Sequence, residues 1–183
     1  NRYVQKIKKD NELESVEILI SGKTIEMMEK SIAYDKETME ILDGKNMLIT
    51  PGFIDVHVHL REPGFEEKET IFSGTRAAAL GGYTSIFAMP NTNPVMDDVE
   101  ILMEIKEKAK KDSLIRCEFY SAITKGEKGE ELVDFSSMNA AGATGFSDDG
   151  KGVQSAGQMY LAMMEVAKLN SFITAHCEDE SML

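Results

Sequence analysis

The chain has 183 residues, 42% hydrophobic and 28% charged, which is typical of a globular protein with room for a sizeable core. Its formal net charge of -12 would repel a phosphate backbone, so we expect no nucleic-acid partner. No apolar run approaches the roughly 20 residues that span a bilayer, so we expect no membrane partner either. The first residues show no signal peptide. The two cysteines, Cys117 and Cys177, indicate free buried thiols in a reducing, cytoplasmic compartment.

The sequence pattern of residues 1–50 is typical of a small β layer or a piece of a β-sandwich. Short segments suited to strands alternate with turn signals at Ser21-Gly22 and Asp43-Gly44. The predicted segments are Val4–Ile7, Ser15–Ile20, Lys23–Met28, Glu40–Gly44 and Asn46–Thr50. We treat this region as an N-terminal β domain.

From residue 51 to residue 183, strands alternate with helices. The predicted strands are Phe53–Leu60, Thr84–Met89, Arg116–Ile123, Ala143–Ser147 and Phe172–His176. The predicted helices lie near Glu67–Leu80, Asp97–Lys111, Glu127–Ala141 and Ser155–Leu169. Successive β-α units with strongly apolar strands indicate a parallel sheet covered by helices, an α/β fold.

A closed (β/α)8 TIM-like barrel needs about 250 residues, and this pattern supplies strands one to five. The second domain is therefore predicted to be the first part of such a barrel, with the C-terminal half absent. Half a barrel would expose sheet edges and a large apolar surface, so we expect the natural gene product to extend beyond Leu183.

The strongest chemical signal lies in the first strand of this region. Asp55, His57, His59 and Arg61 fall on one face of an extended chain, opposite an apolar face. Two imidazoles at positions i and i+2 aim their nitrogens at one point, and neutral imidazole suits zinc. The segment predicts a metal site.

Polar clusters also end the later strands. They are Pro90–Thr92, Ser147–Gly150 and His176–Asp179. Catalytic residues of such barrels lie at the carboxyl ends of the strands, so these clusters are expected to share one rim with His57 and His59.

Several motifs, in order and at matching spacing, resemble dihydroorotase of the bacterial single-function type, within the amidohydrolase superfamily. They are Pro51–Gly64, Gly74–Thr84, Met89–Pro94, Gly145–Gly150 and Ala175–Asp179. The resemblance runs from about residue 15 to residue 183 and implies a metal-dependent barrel whose mouth holds one or two zinc ions.

The resemblance also implies residue roles. His57 and His59 would bind the more buried metal, Asp149 would bridge both metals, and His176 would bind the second. Arg61 and Asn91 would hold the substrate carboxylate. The family's further metal-binding His and its general-base Asp lie on later strands, so we expect no catalytic general base before Leu183.

The implied reaction is the reversible cyclisation of N-carbamoyl-L-aspartate to L-dihydroorotate in de novo pyrimidine biosynthesis. In the ring-opening direction, water activated at the metals attacks the ring amide carbonyl. Relatives are commonly homodimers. One alternative is an allantoinase or hydantoinase, which bridges its metals with a carboxylated lysine. Another is an inactive dihydroorotase-like subunit that partners aspartate transcarbamoylase.

Individual residues also have other interpretations. Arg61 could pair with Glu62 or Glu66, and Asn91 could form a turn with its own backbone. Asp148 and Asp149 could each cap a turn before Gly150. Three further residues near the predicted site leave such choices open. Asp55 could orient a ligand or bond to backbone, Lys151 could be a carboxylated bridge, and Cys177 is expected to pack on the opposite face.

Overall fold

The computed structural model describes residues 2–7 and 12–182. It divides into two compact units, Asn1–Pro51 and Gly52–Leu183. In the described part of the chain, no helix is long and apolar enough to cross a membrane.

The first unit contains one sheet of four strands. They are β1 (Arg2–Ile7), β2 (Leu13–Ser21), β3 (Thr24–Glu29) and β4 (Asp43–Leu48). The order is β3-β2-β1-β4, with β1 antiparallel to β2 and parallel to β4. Gly22 forms the β2–β3 turn at φ +57°, as its lack of a Cβ allows. The turn predicted at Asp43-Gly44 was wrong, because both residues lie in β4, where Asp43 pairs with Arg2.

The second unit is built on a parallel sheet with strand order β5-β6-β7. The strands are β5 (Phe53–Val58), β6 (Tyr83–Ala88) and β7 (Arg116–Phe119). Single parallel bridges continue the order from Ser121 to Phe146 and from Phe146 to Ile173. The unit is therefore α/β, and its strands and bridged segments lie side by side in the order of the sequence.

Four of the five strands predicted after residue 51 are shorter than expected, and the first of them ends at Val58 instead of Leu60. The strand predicted to end at Ile123 ends at Phe119, and beyond it only Ser121 makes a parallel bridge, to Phe146. The fourth and fifth predicted strands are reduced to the bridges at Phe146 and Ile173.

Four helices accompany this sheet: α1 (Ile71–Leu80), α2 (Val99–Asp112), α3 (Phe135–Ala140) and α4 (Ala156–Lys168). α2 and α4 agree with the sequence prediction, and each begins after a side-chain cap, at Asp98 and Ser155. The helix predicted near Glu127–Ala141 forms only over Phe135–Ala140, and its predicted start at Glu127 was wrong. The chain instead makes a 3-10 turn and then a short antiparallel bridge, with Gly126 and Gly129 at positive φ, before Asp134 caps α3.

The core of the second unit lies between the sheet and its helices. Its fully buried members include Ile71, Ile86, Leu102, Phe119 and Phe146. By contrast, Ile54 and Val56 of β5, the edge strand of the three-stranded sheet, are about three-fifths exposed (61% and 59%).

The cysteines only partly follow the prediction of free buried thiols. Both are free, but Cys177 is exposed. Cys117 is half-buried, and its burial raises the pKa of the thiol to about 12.

Candidate metal centre

The polar residues predicted to share one rim follow the carboxyl ends of neighbouring parallel strands. His57 is the next-to-last residue of β5, and His59 directly follows the strand. Asn91 follows β6, while Asp149 and His176 follow the bridge positions Phe146 and Ile173. Because parallel strands present their carboxyl ends to the same edge, residues far apart in sequence meet there.

The carboxylate of Asp149 lies near both His57 and His59. Its Oδ1 is 3.4 Å from His57 Nε2, and its Oδ2 is 3.4 Å from His59 Nε2. One nitrogen or oxygen from each of the three residues lies within 4.8 Å of the others. The Asp149 side chain is only 7% exposed, whereas His57 is 48% exposed, so the group is open on one side.

This donor set suits a divalent metal. Two imidazole nitrogens and one carboxylate oxygen are the combination that zinc and similar ions accept. Zinc ligands lie about 2.0–2.2 Å from the ion, so two ligands of a tetrahedral site are separated by roughly 3.4 Å. The two nitrogen–oxygen separations in this group match that spacing.

His176 also lies near the Asp149 carboxylate. Its Nδ1 is 3.6 Å from Asp149 Oδ1, and its Nε2 is 2.7 Å from Glu178 Oε2. The hydrogen bond with Glu178 raises the pKa of His176, and Asp149 adds to this effect. Among the described residues, the Asp149 carboxylate lies within 3.6 Å of a ring nitrogen of each of the three histidines.

Asp148 has different partners from its neighbour. Its Oδ1 accepts hydrogen bonds from the N–H groups of Ile123 (2.7 Å) and Thr124 (3.1 Å), and its Oδ2 accepts one from the Thr124 hydroxyl. The side chain is 1% exposed, and its burial raises the pKa of the carboxyl group. Asp148 thus ties the segment after β7 to the segment that carries Asp149.

Asn91 contacts the histidine group directly. Its Oδ1 lies 2.9 Å from His59 Nδ1, and its Nδ2 donates to the backbone carbonyl of Asp149 at 3.3 Å. The sequence assigned Asn91 only to substrate or to its own turn. Nothing in the linear pattern indicates a partner 32 residues away.

Arg61 lies two residues beyond His59, with a left-handed backbone at φ +60°. The two acids considered as its partners are engaged elsewhere. Glu62 accepts from the N–H of Ile71 and pairs with Lys108, while Glu66 accepts from the N–H of Gly64. Within the described residues, Arg61 makes none of the contacts that join Asp149 to the histidines.

The other residues near the motifs have local partners. Asp55 accepts from the N–H of His57, and Lys151 Nζ donates to the carbonyl of Gly126 at 3.5 Å. Cys177 Sγ lies 3.7 Å from the carbonyl of Ala175.

Sequence reasoning also missed two acids near this site. The contact of Glu178 with His176 could have been found from its i+2 spacing, because alternate residues of an extended chain share a face. Glu127 is 2% exposed, and its Oε1 has no hydrogen-bond partner among the described residues. Burial, reinforced by Asp148, raises the pKa of Glu127 to about 8.

Comparison with known proteins identifies the family. Residues 46–183 match the family described as "Dihydro-orotase-like". The chain belongs to this family. The resemblance predicted from the motifs is thereby confirmed.

Dihydroorotase-like relatives match almost the whole chain. Dihydroorotases of Staphylococcus epidermidis and Fusobacterium nucleatum are 49% and 52% identical to it over 178 residues, 97% of the chain. The chain spans about two-fifths of their length, 42% and 41%.

Solved structures show the same fold at lower identity. The L-hydantoinase of Arthrobacter aurescens aligns with 98% of this chain and 40% of its own, at a TM-score of 0.80 and 22% identity. A D-hydantoinase of Thermus sp. aligns over the same shares, at a TM-score of 0.76 and 26% identity.

Proposed function

We propose that this dihydroorotase-like chain carries the metal site of a cyclic amidohydrolase, within the first part of a TIM-like barrel. The observation that carries the proposal is the Asp149 carboxylate, 3.4 Å from both His57 Nε2 and His59 Nε2. These three residues would hold zinc. His176, also in contact with Asp149, would hold a second ion.

The proposed reaction is the interconversion of N-carbamoyl-L-aspartate and L-dihydroorotate. When bound, zinc polarises a carbonyl oxygen and lowers the pKa of water to near neutrality. The chain's own residues would bind and orient the substrate. The Arg61 guanidinium offers two parallel N–H donors to the substrate carboxylate, which a lysine could not do. Asn91 would add an amide N–H, and we place the general base outside residues 1–183.

The identity to dihydroorotases supports this substrate. Both relatives described above are about half identical to the chain over nearly all of its length. The two free cysteines support the expectation of a reducing, cytoplasmic compartment. A homodimer remains our prediction, which the mass of the purified gene product in solution tests.

The test uses the natural gene product, assayed with bound metal quantified in the same sample. L-Dihydroorotate is the test substrate, and allantoin and hydantoin are the comparisons. We expect ring opening of dihydroorotate alone, with zinc bound and both lost in His59→Ala. A protein that opens only hydantoin or allantoin would contradict the substrate proposal.

A hydantoinase-type enzyme is the second candidate, because hydantoinases share the fold at TM-scores of 0.76 and 0.80. In that alternative a carboxylated lysine would bridge the metals. The candidate is Lys151, which lies two residues after Asp149 in the sequence. Its Nζ contacts the carbonyl of Gly126 and not the histidine group. Lys151→Ala should therefore keep its metal and its activity, and loss of both would favour the alternative.

An inactive subunit is the third candidate. A gene product that binds no metal, opens no ring and co-purifies with aspartate transcarbamoylase would replace the enzymatic proposal with a structural one.

A further inference from the structure

The side-chain amide of Asn91 is held between two members of the proposed metal site. One end faces the ring of His59 and the other faces the backbone carbonyl of Asp149. Hydrogen bonds hold the loop that carries Asn91 in place. The buried Thr92 hydroxyl lies 3.2 Å from the carbonyl of Pro90 and 2.8 Å from that of Pro94, and the N–H of Met96 donates to Pro90. The amide is therefore positioned before any ligand arrives.

The partners of this amide dictate its orientation. A backbone carbonyl only accepts hydrogen bonds, so the end of the amide that faces Asp149 must be the donor, Nδ2. The other end, Oδ1, then faces His59 Nδ1 and can only accept. His59 must consequently carry its proton on Nδ1 to make the 2.9 Å contact.

This choice of tautomer has a consequence for metal binding. With the proton on Nδ1, His59 Nε2 presents a lone pair, and it does so 3.4 Å from Asp149 Oδ2. A lone pair and a carboxylate oxygen at that distance are two electron donors directed at one place, which suits a cation. Asn91 thus acts on both metal donors. It contacts the ring of His59 directly, and it holds Asp149 by its backbone carbonyl.

We propose that Asn91 is a positioning residue of the metal site. It fixes the His59 tautomer that can bind metal and ties Asp149 to it. This role rests on the proposed metal site and is additional to holding the substrate carboxylate. The amide has one N–H beyond the one donated to Asp149, so both roles are chemically compatible.

Two substitutions separate the roles. Asn91→Ala removes the acceptor for His59 and the donor for substrate. Asn91→Asp keeps an acceptor for His59 Nδ1–H, but it removes the donor to the Asp149 carbonyl as well as the donor to substrate, and it repels a substrate carboxylate. Asn139→Ala, a change of the same type on α3, is the matched control.

The measurement is the affinity of the full gene product for Zn²⁺ without substrate, by competition with a chromogenic chelator. The absorption spectrum of the Co²⁺-substituted site is recorded in parallel. We expect Asn91→Ala to lose affinity by about 10- to 100-fold, with an altered Co²⁺ spectrum. Asn91→Asp keeps the acceptor for His59 but loses the link to Asp149, so its affinity should fall less than that of Asn91→Ala, by at most about tenfold, while its KM for dihydroorotate rises. Asn139→Ala should match wild type in both.

The outcomes distinguish this role from the site on which it rests. Equal Zn²⁺ affinity in wild type and Asn91→Ala would overturn the positioning role and leave the metal site intact. Wild-type protein that takes up no metal would overturn the site and this role together. If Asn91→Ala fails to fold by circular dichroism, Asn91→Asp decides. An affinity within about tenfold of wild type with a raised KM supports the tautomer role, and a loss of about 100-fold or more in a folded protein overturns it.

Discussion

Adjacent acids in the Ser147–Gly150 motif should respond in opposite ways to the same substitution. Asp148 accepts two backbone N–H groups and one hydroxyl in a fully buried setting, whereas the Asp149 carboxylate lies beside the nitrogens of three histidines. We therefore compare Asp148→Ala with Asp149→Ala. Each removes one carboxylate, so each is the control for the other.

The expected magnitudes follow from the partners left behind. Asp148→Ala strands the buried N–H groups of Ile123 and Thr124, each at a cost of about 1–3 kcal/mol, and removes a partner of the Thr124 hydroxyl. The free energy of unfolding should fall by roughly 3–6 kcal/mol, which lowers the urea midpoint by roughly 1–3 M. Asp149→Ala strands no backbone donor, and the half-exposed His57 can bond to water. Its cost without metal should stay within about 1.5 kcal/mol.

The assay is urea unfolding of the chelator-treated gene product, followed by Zn²⁺ titration of the folded variants. Asp148→Ala should lose stability but keep Zn²⁺ affinity within about tenfold. Asp149→Ala should keep its stability and lose Zn²⁺ affinity by more than about 100-fold. A metal-free Asp149→Ala that is less stable than Asp148→Ala would refute this reasoning, as would a folded Asp148→Ala that binds no zinc.

Two further predictions concern the strained Arg61 and the buried Glu127. At φ +60° a Cβ costs about 1–2 kcal/mol, so Arg61→Gly should be about 1 kcal/mol more stable than Arg61→Ala by urea unfolding, while both raise KM for dihydroorotate. Equal stabilities would contradict the left-handed backbone. The pKa of Glu127 is raised from 4.5 to about 8. Its contribution to stability is therefore fully present below about pH 4.5 and is lost as the pH rises through about 8. The free energy of unfolding should fall by at most about 5 kcal/mol over this range. Glu127→Gln should therefore be more stable than wild type at pH 8.5 and flatten this pH dependence, and an unchanged profile would count against the buried carboxylate.

The sequence predicted those parts of the fold that local patterns determine. α2 and α4 have clear periodicity and capping side chains at Asp98 and Ser155, and both helices form as expected. The helix expected over Glu127–Ala141 begins only at Phe135, because the backbone before it adopts a turn and a bridge. Gly126 and Gly129 adopt positive φ, and Thr124 pairs with Leu132 before a new cap at Asp134.

The candidate site also has features that local sequence patterns predict and features that depend on distant residues. Alternation along β5 predicted that His57 and His59 would share a direction, because a strand has a period of two. What Asp148 and Asp149 each contact depends on segments about 25 and 90 residues away, so only the packed structure distinguishes their surroundings. The contact between Asn91 and His59 is of the same kind. It arises because β5 and β6 are neighbours in the sheet, which no local pattern specifies.

The most direct measurement is an anomalous-scattering map of the zinc-loaded gene product, collected on both sides of the zinc absorption edge. Our account predicts a peak bonded to the Nε2 atoms of His57 and His59 and to the carboxylate of Asp149. Zinc ligated by Asp148 or by a carboxylated Lys151, or zinc away from these histidines, would contradict it.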